Sequence, residues 1–319
     1  MPERVVHNPE LGQPEAAGPE KNPFFVGVEE RRFASPDYLS EDLGTLALQR
    51  LLSETGVAAS ELDLILCSCN LTDHLGMGIA SAVQHRVGAR KAAALNIENG
   101  CTGFVTGLHT ARAFIGAGIY EKVALITVTN LISRLTEFQK LPQSSPLGDG
   151  ASATLLVASE KASILSSVER THGENYGLFS CSPATRNGKK SSYWEPDASP
   201  LVFEFDPTVL TQLQSNALSL VPAAVTESLA QAGKTAAEVD LLITHQPNQV
   251  FMRKWRRRIG VSTDRTHDTL RQYGNMFQCS IPVTMADALE TGKLSRGKLV
   301  ALGTFSFGGD LVSAMVLRW

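Results

Sequence analysis

The sequence predicts an α/β fold built from two similar halves, about 1–165 and 166–319, and three observations carry that prediction. The segment GVAASELDLIL at Gly56–Leu66 returns as GKTAAEVDLLI at Gly233–Ile243, 177 residues later. The segment KVALI at Lys122–Ile126 returns as KLVAL at Lys298–Leu302, 176 residues later, so two distant matches share one offset to within a residue. Self-similarity of this kind marks a duplicated unit. The third observation is that helical apolar spacing alternates with short, wholly apolar runs, the pattern of parallel strands covered by helices on both faces.

In chain order, Leu46–Leu52 carries helical spacing, and Gly56 stops that helix because glycine adopts the left-handed conformation without steric cost. Leu62–Cys67, apolar but for Asp63, reads as a buried strand, and Ala92–Ile97 is a further apolar stretch. A helix through Gly107–Phe114 leads to a further strand from Lys122. The second half repeats this order: a helix at Leu218–Leu229, a stop at Gly233, a strand at Val239–Thr244, a helix at Thr284–Leu289 and a strand from Lys298. Between the halves, Gly173–Pro207 is rich in Ser, Gly and Pro and reads as an inserted loop or a cap over a site. A duplicated α/β chain gathers its chemistry where strand ends and helix starts from both halves meet.

With 43% hydrophobic and 19% charged residues, the chain has a globular composition, which excludes a mainly disordered or collagen-like protein. A net charge of -3 argues against a general nucleic-acid binder. No apolar run reaches the ~20 residues that span a bilayer, and the N-terminal residues lack an apolar signal core, so no membrane association is expected. The five cysteines, Cys67, Cys69, Cys101, Cys181 and Cys279, are odd in number and match no metal-ligand spacing. A reducing cytoplasm is the expected compartment, with no metal or redox cofactor.

Asn99–Phe104 (NGCTGF) follows the Ala92–Ile97 strand and opens a helix. A cysteine there sits near unpaired backbone N–H groups and the positive end of the helix dipole. Both favour the thiolate, so Cys101 is expected to have a lowered pKa and to act as a nucleophile; a buried structural cysteine is the competing reading. The other four cysteines lack this setting and read as structural. His245 ends its strand ahead of Gln246-Pro247-Asn248 and is placed to donate a hydrogen bond or relay a proton in a crevice, or else to tie down the turn. Asn275 lies near the repeat equivalent of Cys101 (101 plus 176 is 277), so pseudo-symmetry can bring the two helix starts face to face. Its amide suits donation to a carbonyl oxygen, or a cap. Phe307-Gly308-Gly309-Asp310 is a tight glycine turn whose N–H groups suit an oxyanion.

Together these residues resemble the β-ketoacyl-acyl-carrier-protein synthase III family of the thiolase superfamily. The likeness rests on GVEER at Gly27–Arg31, GCTGF at Gly100–Phe104, GDGA at Gly148–Ala151 and HQPN at His245–Asn248. It continues through Gly274-Asn275 with Ser280-Ile281-Pro282 and FGG at Phe307–Gly309, in the family's order over nearly the whole chain. The resemblance implies a thiolase-like five-layered αβαβα fold, a homodimer and a triad of Cys101 from the first half with His245 and Asn275 from the second. It implies that Cys101 takes an acyl group from a thioester, the oxyanion being held by the N–H groups of Cys101 and Gly309. A malonyl thioester then loses carbon dioxide, His245 and Asn275 steady its enolate, and the carbanion attacks the acyl-cysteine. It also implies that Arg253, Lys254, Arg256, Arg257 and Arg258 dock an acidic acyl carrier protein, where the bland reading is a solvated helix face. A substrate channel is expected past Asn248, Met276 and Phe277.

The chain departs from the family in several places. Only Val5–Asn8 resembles the end of the usual first strand, so either the first sheet is one strand short or the start is atypical. Lys21, Phe25 and Val26 stand where the family has the tryptophan and the arginine-threonine pair for the adenine of coenzyme A, which favours a carrier-bound donor. Val250 stands where the family has an arginine, and Met276, Phe277 and Gln278 replace small residues, so the acyl pocket is expected to be reshaped for specialised polyketide or fatty-acyl metabolism. Two other functions compete. One is an acyltransferase that passes the acyl group of Cys101 to an alcohol or amine with His245 as base; the other is a non-catalytic partner subunit. Retention of Asn275 weighs against the first, and retention of all three residues against the second.

Overall fold

The computed structural model describes residues 1–11, 27–74, 76–130, 146–183, 192, 194–195, 201–205 and 210–319. The expectations at Lys21, Phe25 and Val26 lie outside the described residues. The chain begins with β1 (Arg4–His7), β2 (Glu30–Phe33), α1 (Ser40–Thr55), β3 (Leu64–Cys69), α2 (Ala80–Val87) and β4 (Ala93–Ile97). It continues through α3 (Gly103–Gly116), β5 (Lys122–Thr129), β6 (Gly150–Val157), β7 (Ile164–Thr171), β8 (Phe179–Pro183) and β9 (Leu201–Phe205). The remainder is α4 (Leu210–Gln231), β10 (Leu241–Thr244), α5 (Gln249–Ile259), α6 (Leu270–Tyr273), α7 (Ser280–Glu290), β11 (Leu299–Ser306) and β12 (Leu311–Arg318).

Two sheets frame the molecule, in the orders β4-β3-β5-β6 and β10-β11-β12-β7. Within each, the strands carrying the repeated sequences run parallel and the following strand returns antiparallel. The burial pattern explains the layering. Leu64 and Leu66 of β3, Leu241 and Ile243 of β10, and Leu302 of β11 all pack on one cluster with Phe104 and Leu108 of α3 and Ile281 and Met285 of α7. The alternate residues Ile65 and Cys67 face α1 and α2, while Leu242 and Ala301 face α4 and α5. Side chains on successive strand residues point to opposite faces, so a continuously apolar strand needs helices on both sides. The result is five layers, helix–sheet–helix–sheet–helix, with α3 and α7 in the middle. Burying each large aliphatic side chain contributes about 1.5–3 kcal/mol, which makes this central layer rigid.

The repeat has a physical content. Asp63 accepts the N–H groups of Glu121 and Lys122 at 2.9 Å, and Asp240 accepts that of Leu299 at 2.8 Å, so each aspartate fixes the register of two parallel strands. Glu61 holds the N–H of Ala58 and Glu238 that of Thr235, each at 2.9 Å. Gly56 and Gly233 end their helices at φ of +70° and +64°.

Three details correct the sequence reading. A boundary at 165/166 would cut β7, which pairs with β12 along its length, so Ile164 and Leu165 go with residues 166–319. Gly173–Pro207 is not only loop: β8 and β9 form an antiparallel two-stranded sheet. Val5–Asn8 does give a strand, but β1 pairs with β2 outside both main sheets. Among the described residues, no helix is long and apolar enough to cross a membrane, and no cluster of three or more His, Cys, Asp or Glu is placed to hold a metal.

Candidate active site

Cys101 lies in the one-turn 3-10 helix Gly100–Thr102 that leads into α3. Its counterpart in the second half, Phe277–Cys279, leads into α7 in the same way. Side chains of β11 tie the Cys101 turn to the second half. Thr304 Oγ1 donates to the Cys101 carbonyl at 3.0 Å, Thr102 N–H donates to Ser306 Oγ at 3.1 Å, and Ser306 Oγ donates to the Asn99 carbonyl at 2.6 Å. Gly100 has φ of +54°, and a Cβ there would stand 2.4 Å from Ser306 Oγ, so only glycine lets the two halves approach this closely.

Cys101 is buried among Val6, Leu147 and Phe277, with Leu71, Phe179 and Cys181 at the edge of the same cluster. Its thiol does not have the lowered pKa expected from a helix start. Burial pushes it up, and the Asp310 carboxylate pushes it further; the N–H groups of Cys101 and Phe307, which act on the sulfur in the opposite sense, do not offset that. Desolvating an anion outweighs two hydrogen bonds here. The expected pairing of the N–H groups of Cys101 and Gly309 is also corrected. Gly309 N–H is donated to the Ser306 carbonyl at 2.8 Å, closing the glycine turn, and Phe307 N–H is the one bonded to the sulfur. Phe307 reaches that position at a φ of +44°, an uncommon conformation for a residue with a side chain. Asp310→Asn removes the nearby negative charge, so the pH profile of Cys101 alkylation should move to lower pH, read by peptide mass mapping across a pH series. An unchanged profile would mean that the carboxylate does not act on the sulfur.

His245 ends β10 and donates its N–H to the Gly303 carbonyl at 2.8 Å. Neighbouring residues of one strand, Gly303 and Thr304, therefore hold the backbones of His245 and Cys101. His245 is 2% exposed, packs edge-on to Phe305 at 6.0 Å, and has no partner at Nδ1 among the described residues. Burial lowers its pKa to about 3, so it is neutral at physiological pH.

Asn275 sits in a loop that Gly274 makes possible: Gly274 has φ of +64°, and a Cβ there would stand 2.2 Å from the Pro146 carbonyl oxygen. The backbone of Asn275 donates to that carbonyl at 2.8 Å and accepts the Gly148 N–H at 3.0 Å. The next residue, Asp149, is buried and accepts the Ala34 N–H at 3.0 Å, which ties the GDG stretch to the residues after β2. Asn275 Oδ1 accepts the Phe277 N–H at 2.9 Å, which leaves Nδ2 as the donor end of the amide. Leu147, bridged to Asn275, and Phe277, held by its side chain, both pack in the cluster that contains Cys101.

A cavity of about 450 Å³ adjoins this cluster, walled by Leu71, Phe179, Phe277 and Phe307 with Asp310. Phe277 lines it. Met276 does not: it is fully buried beside Cys279 and Val283, and its carbonyl accepts from Thr129 Oγ1. Asn248 caps α5, accepting the Phe251 N–H at 2.9 Å, and is not among the residues of the cavity wall. Cys181, expected to be structural, is half-buried and does line it. Sequence patterns missed Asn70 and Asn130 in the wall, since isolated amides carry no periodicity or spacing signal, whereas Gln278 was marked by its replacement of a small residue.

On the surface, α5 exposes Arg253, Lys254, Arg257 and Arg258. Arg256 is half-buried and donates to the Val261 carbonyl at 3.4 Å. The underside is apolar: Trp255 is fully buried, with its Nε1–H donated to the Ala217 carbonyl at 2.6 Å.

Known proteins share this fold. Residues 95–173 match the model of 3-oxoacyl-[acyl-carrier-protein] synthase III and residues 229–319 that of its C-terminal region. The chain is similar to a β-ketoacyl-[acyl-carrier-protein] synthase III of Halalkalibacterium halodurans, 34% identical over 296 residues, covering 92% of this chain and 88% of the other. Its fold superposes on the Thermus thermophilus β-ketoacyl-[acyl-carrier-protein] synthase III with a TM-score of 0.86 at 26% identity, covering 100% of this chain and 96% of that one. The fold also matches the priming β-ketosynthase of a polyketide biosynthetic pathway, with a TM-score of 0.88 at 22% identity over 99% of this chain and 92% of the other. The five layers, the two duplicated sheets and these matches agree: the chain belongs to the 3-oxoacyl-[acyl-carrier-protein] synthase III family of condensing enzymes, on the thiolase fold.

Proposed function

We propose that the protein loads an acyl group on Cys101 and condenses it with a malonyl thioester, with loss of carbon dioxide. The Cys101 sulfur attacks the acyl carbon and forms the new C–S bond as the donor's C–S bond breaks, and the proton that Cys101 loses passes to the departing sulfur, which leaves as the free thiol. The oxyanion of that step falls to the N–H groups of Cys101 and Phe307, which already bond to the sulfur. The malonyl thioester then loses its carboxylate as carbon dioxide. The electron pair left behind is delocalised onto the thioester oxygen, where His245 and Asn275 Nδ2 donate. The carbanion attacks the acyl carbon and releases Cys101.

The observation that carries this reading is the neutral imidazole. A histidine held near pKa 3 is a poor base at pH 7 and a serviceable hydrogen-bond donor. Acyl transfer to an alcohol or amine would need His245 as base, and the retained Asn275 amide supports enolate stabilisation instead. The test is intact-mass analysis with acyl thioesters followed by malonyl thioester. We expect an acyl adduct on Cys101, its discharge on adding malonyl thioester, and release of carbon dioxide. An adduct that persists while malonyl thioester goes unconsumed would sink the proposal.

Acyl carrier protein is the proposed donor and acceptor. The exposed cations of α5 support this, since they form no ion pair among the described residues and clustered positive charge steers acidic partners. Arg253→Glu with Arg257→Glu should raise KM for carrier-bound substrate about tenfold or more and flatten its salt dependence, with kcat little changed. Equal effects on a pantetheine thioester would exclude docking as the cause. The half-exposed edge strand β4, with Leu95 42% exposed, supports a homodimer that continues the first sheet across two copies. Five free cysteines suit a reducing cytoplasm.

A further inference from the structure

The Phe307 N–H meets the Cys101 sulfur from a turn that has to be held in place. Phe307 has φ of +44°, which a residue with a side chain keeps only where its surroundings impose it. Ser306 fixes one end of the turn. Its Oγ donates to the Asn99 carbonyl and accepts the Thr102 N–H, and its carbonyl accepts the Gly309 N–H. Asn175 fixes the other end. It lies in the one-turn 3-10 helix Gly173–Asn175 that follows β7, and it is 4% exposed. Its Nδ2 donates to the Gly309 carbonyl at 3.0 Å. Its Oδ1 accepts from Asn216 Nδ2 at 2.8 Å and from Gln212 Nε2 at 3.3 Å, both on α4. The next carbonyl of the turn, that of Asp310, accepts the His172 N–H at 2.6 Å.

A carbonyl only accepts, so one orientation of the Asn175 amide serves Gly309, and the two α4 amides that donate to its oxygen select that orientation. The fit is close on the same side: a Cβ at Gly308 would stand 2.4 Å from Leu178 Cβ. On the reading that Cys101 carries the acyl group, we propose that Asn175 is a positioning residue for acyl transfer: through Gly309 it holds the turn so that the Phe307 N–H stays aimed at the Cys101 sulfur and at the oxyanion formed beside it. An oxyanion donor is effective because it is already in place when the charge develops. Loosening the turn therefore costs rate without changing what the substrate touches.

The test is Asn175→Leu, close in volume but without the amide, measured in two ways. Acylation of Cys101 by an acyl thioester, followed by intact mass, should lose about tenfold or more in kcat with KM little changed, less than the 10²–10³-fold of removing an oxyanion donor outright. Alkylation of Cys101 by iodoacetamide at pH 8 should slow about threefold or more, because the thiolate loses an N–H partner. A merely structural role predicts the opposite sign, since loosening the fold speeds attack on a buried thiol. If Asn175→Leu does not fold, Asn216→Leu, which removes one of the two bonds orienting the amide, should give the same pattern at about threefold in kcat. Unchanged rates, faster alkylation, or a loss confined to KM overturns the inference and leaves the acyl-enzyme reading standing. A wild-type protein that takes no acyl group from any thioester overturns that reading instead, and the alkylation rates still decide whether Asn175 positions the turn.

Discussion

Replacing His245 with alanine is expected to lower malonyl-thioester decarboxylation by about 10²–10³-fold while Cys101 still takes up its acyl group. Loss of one preorganised donor to a developing oxyanion costs about 2.7–4 kcal/mol of barrier. The variant should fold, because Nδ1 has no partner to strand and the backbone bond to Gly303 survives. Acylation measured by intact mass and decarboxylation measured by carbon dioxide release separate the two steps. Equal losses in both would show that His245 serves the cysteine and not the enolate. The same residue carries a stability signature. Its folded pKa, about 3, lies below the ~6.5 of an unfolded histidine. The unfolded chain therefore binds the proton first, so stability present above pH ~6.5 is lost as pH falls toward 3, by an amount on the order of 2 kcal/mol at pH 5. His245→Gln should lose less stability between pH 7 and pH 5 than the wild type, read from denaturant midpoints at each pH.

How much of this could be read from residues alone depends on the kind of signal. The duplicated halves were legible because Asp63 and Asp240 perform the same register-fixing task and so recur with their apolar neighbours at a fixed offset. Cys101, His245 and Asn275 stood out because each follows a strand or precedes a helix, where side chains and N–H groups are free to meet a substrate. The protonation state of the thiol was not legible. A helix start is a local feature, whereas burial is set by Val6, Leu147 and Phe277, which are far apart in sequence. The choice of Phe307 over Gly309 as the N–H beside the sulfur depends on a turn closed by Ser306, and turn type is not encoded by the presence of glycine alone. Met276 and Phe277 are adjacent and both apolar, yet one faces the core and the other the cavity. A φ of +48° at Phe277 decides that, and no pattern in the sequence announces it.

Replacing Cys101 with alanine should abolish the acyl-enzyme and lower condensation by at least about 10⁴-fold, yet leave malonyl thioester still losing carbon dioxide. The structure gives grounds for both halves of that result. The turn that carries Cys101 is held by its backbone: the Cys101 carbonyl accepts from Thr304, Thr102 N–H donates to Ser306, and Gly100 permits the approach. None of these involves the sulfur, so removing it leaves the fold and the second half's two donors in place. On the proposed mechanism decarboxylation uses His245, Asn275 and an unobstructed thioester site, and the alanine frees space there. The carbanion then has no acyl group to attack and takes a proton, giving the acetyl thioester and carbon dioxide in equal amounts. Cys101→Ser is the matching control. It keeps the shape but offers a hydroxyl far less acidic than a thiol, so acylation should fall steeply with the site otherwise filled. If neither variant decarboxylates, the two steps share more than a pocket: enolate formation would then require the acyl-cysteine itself to be in place.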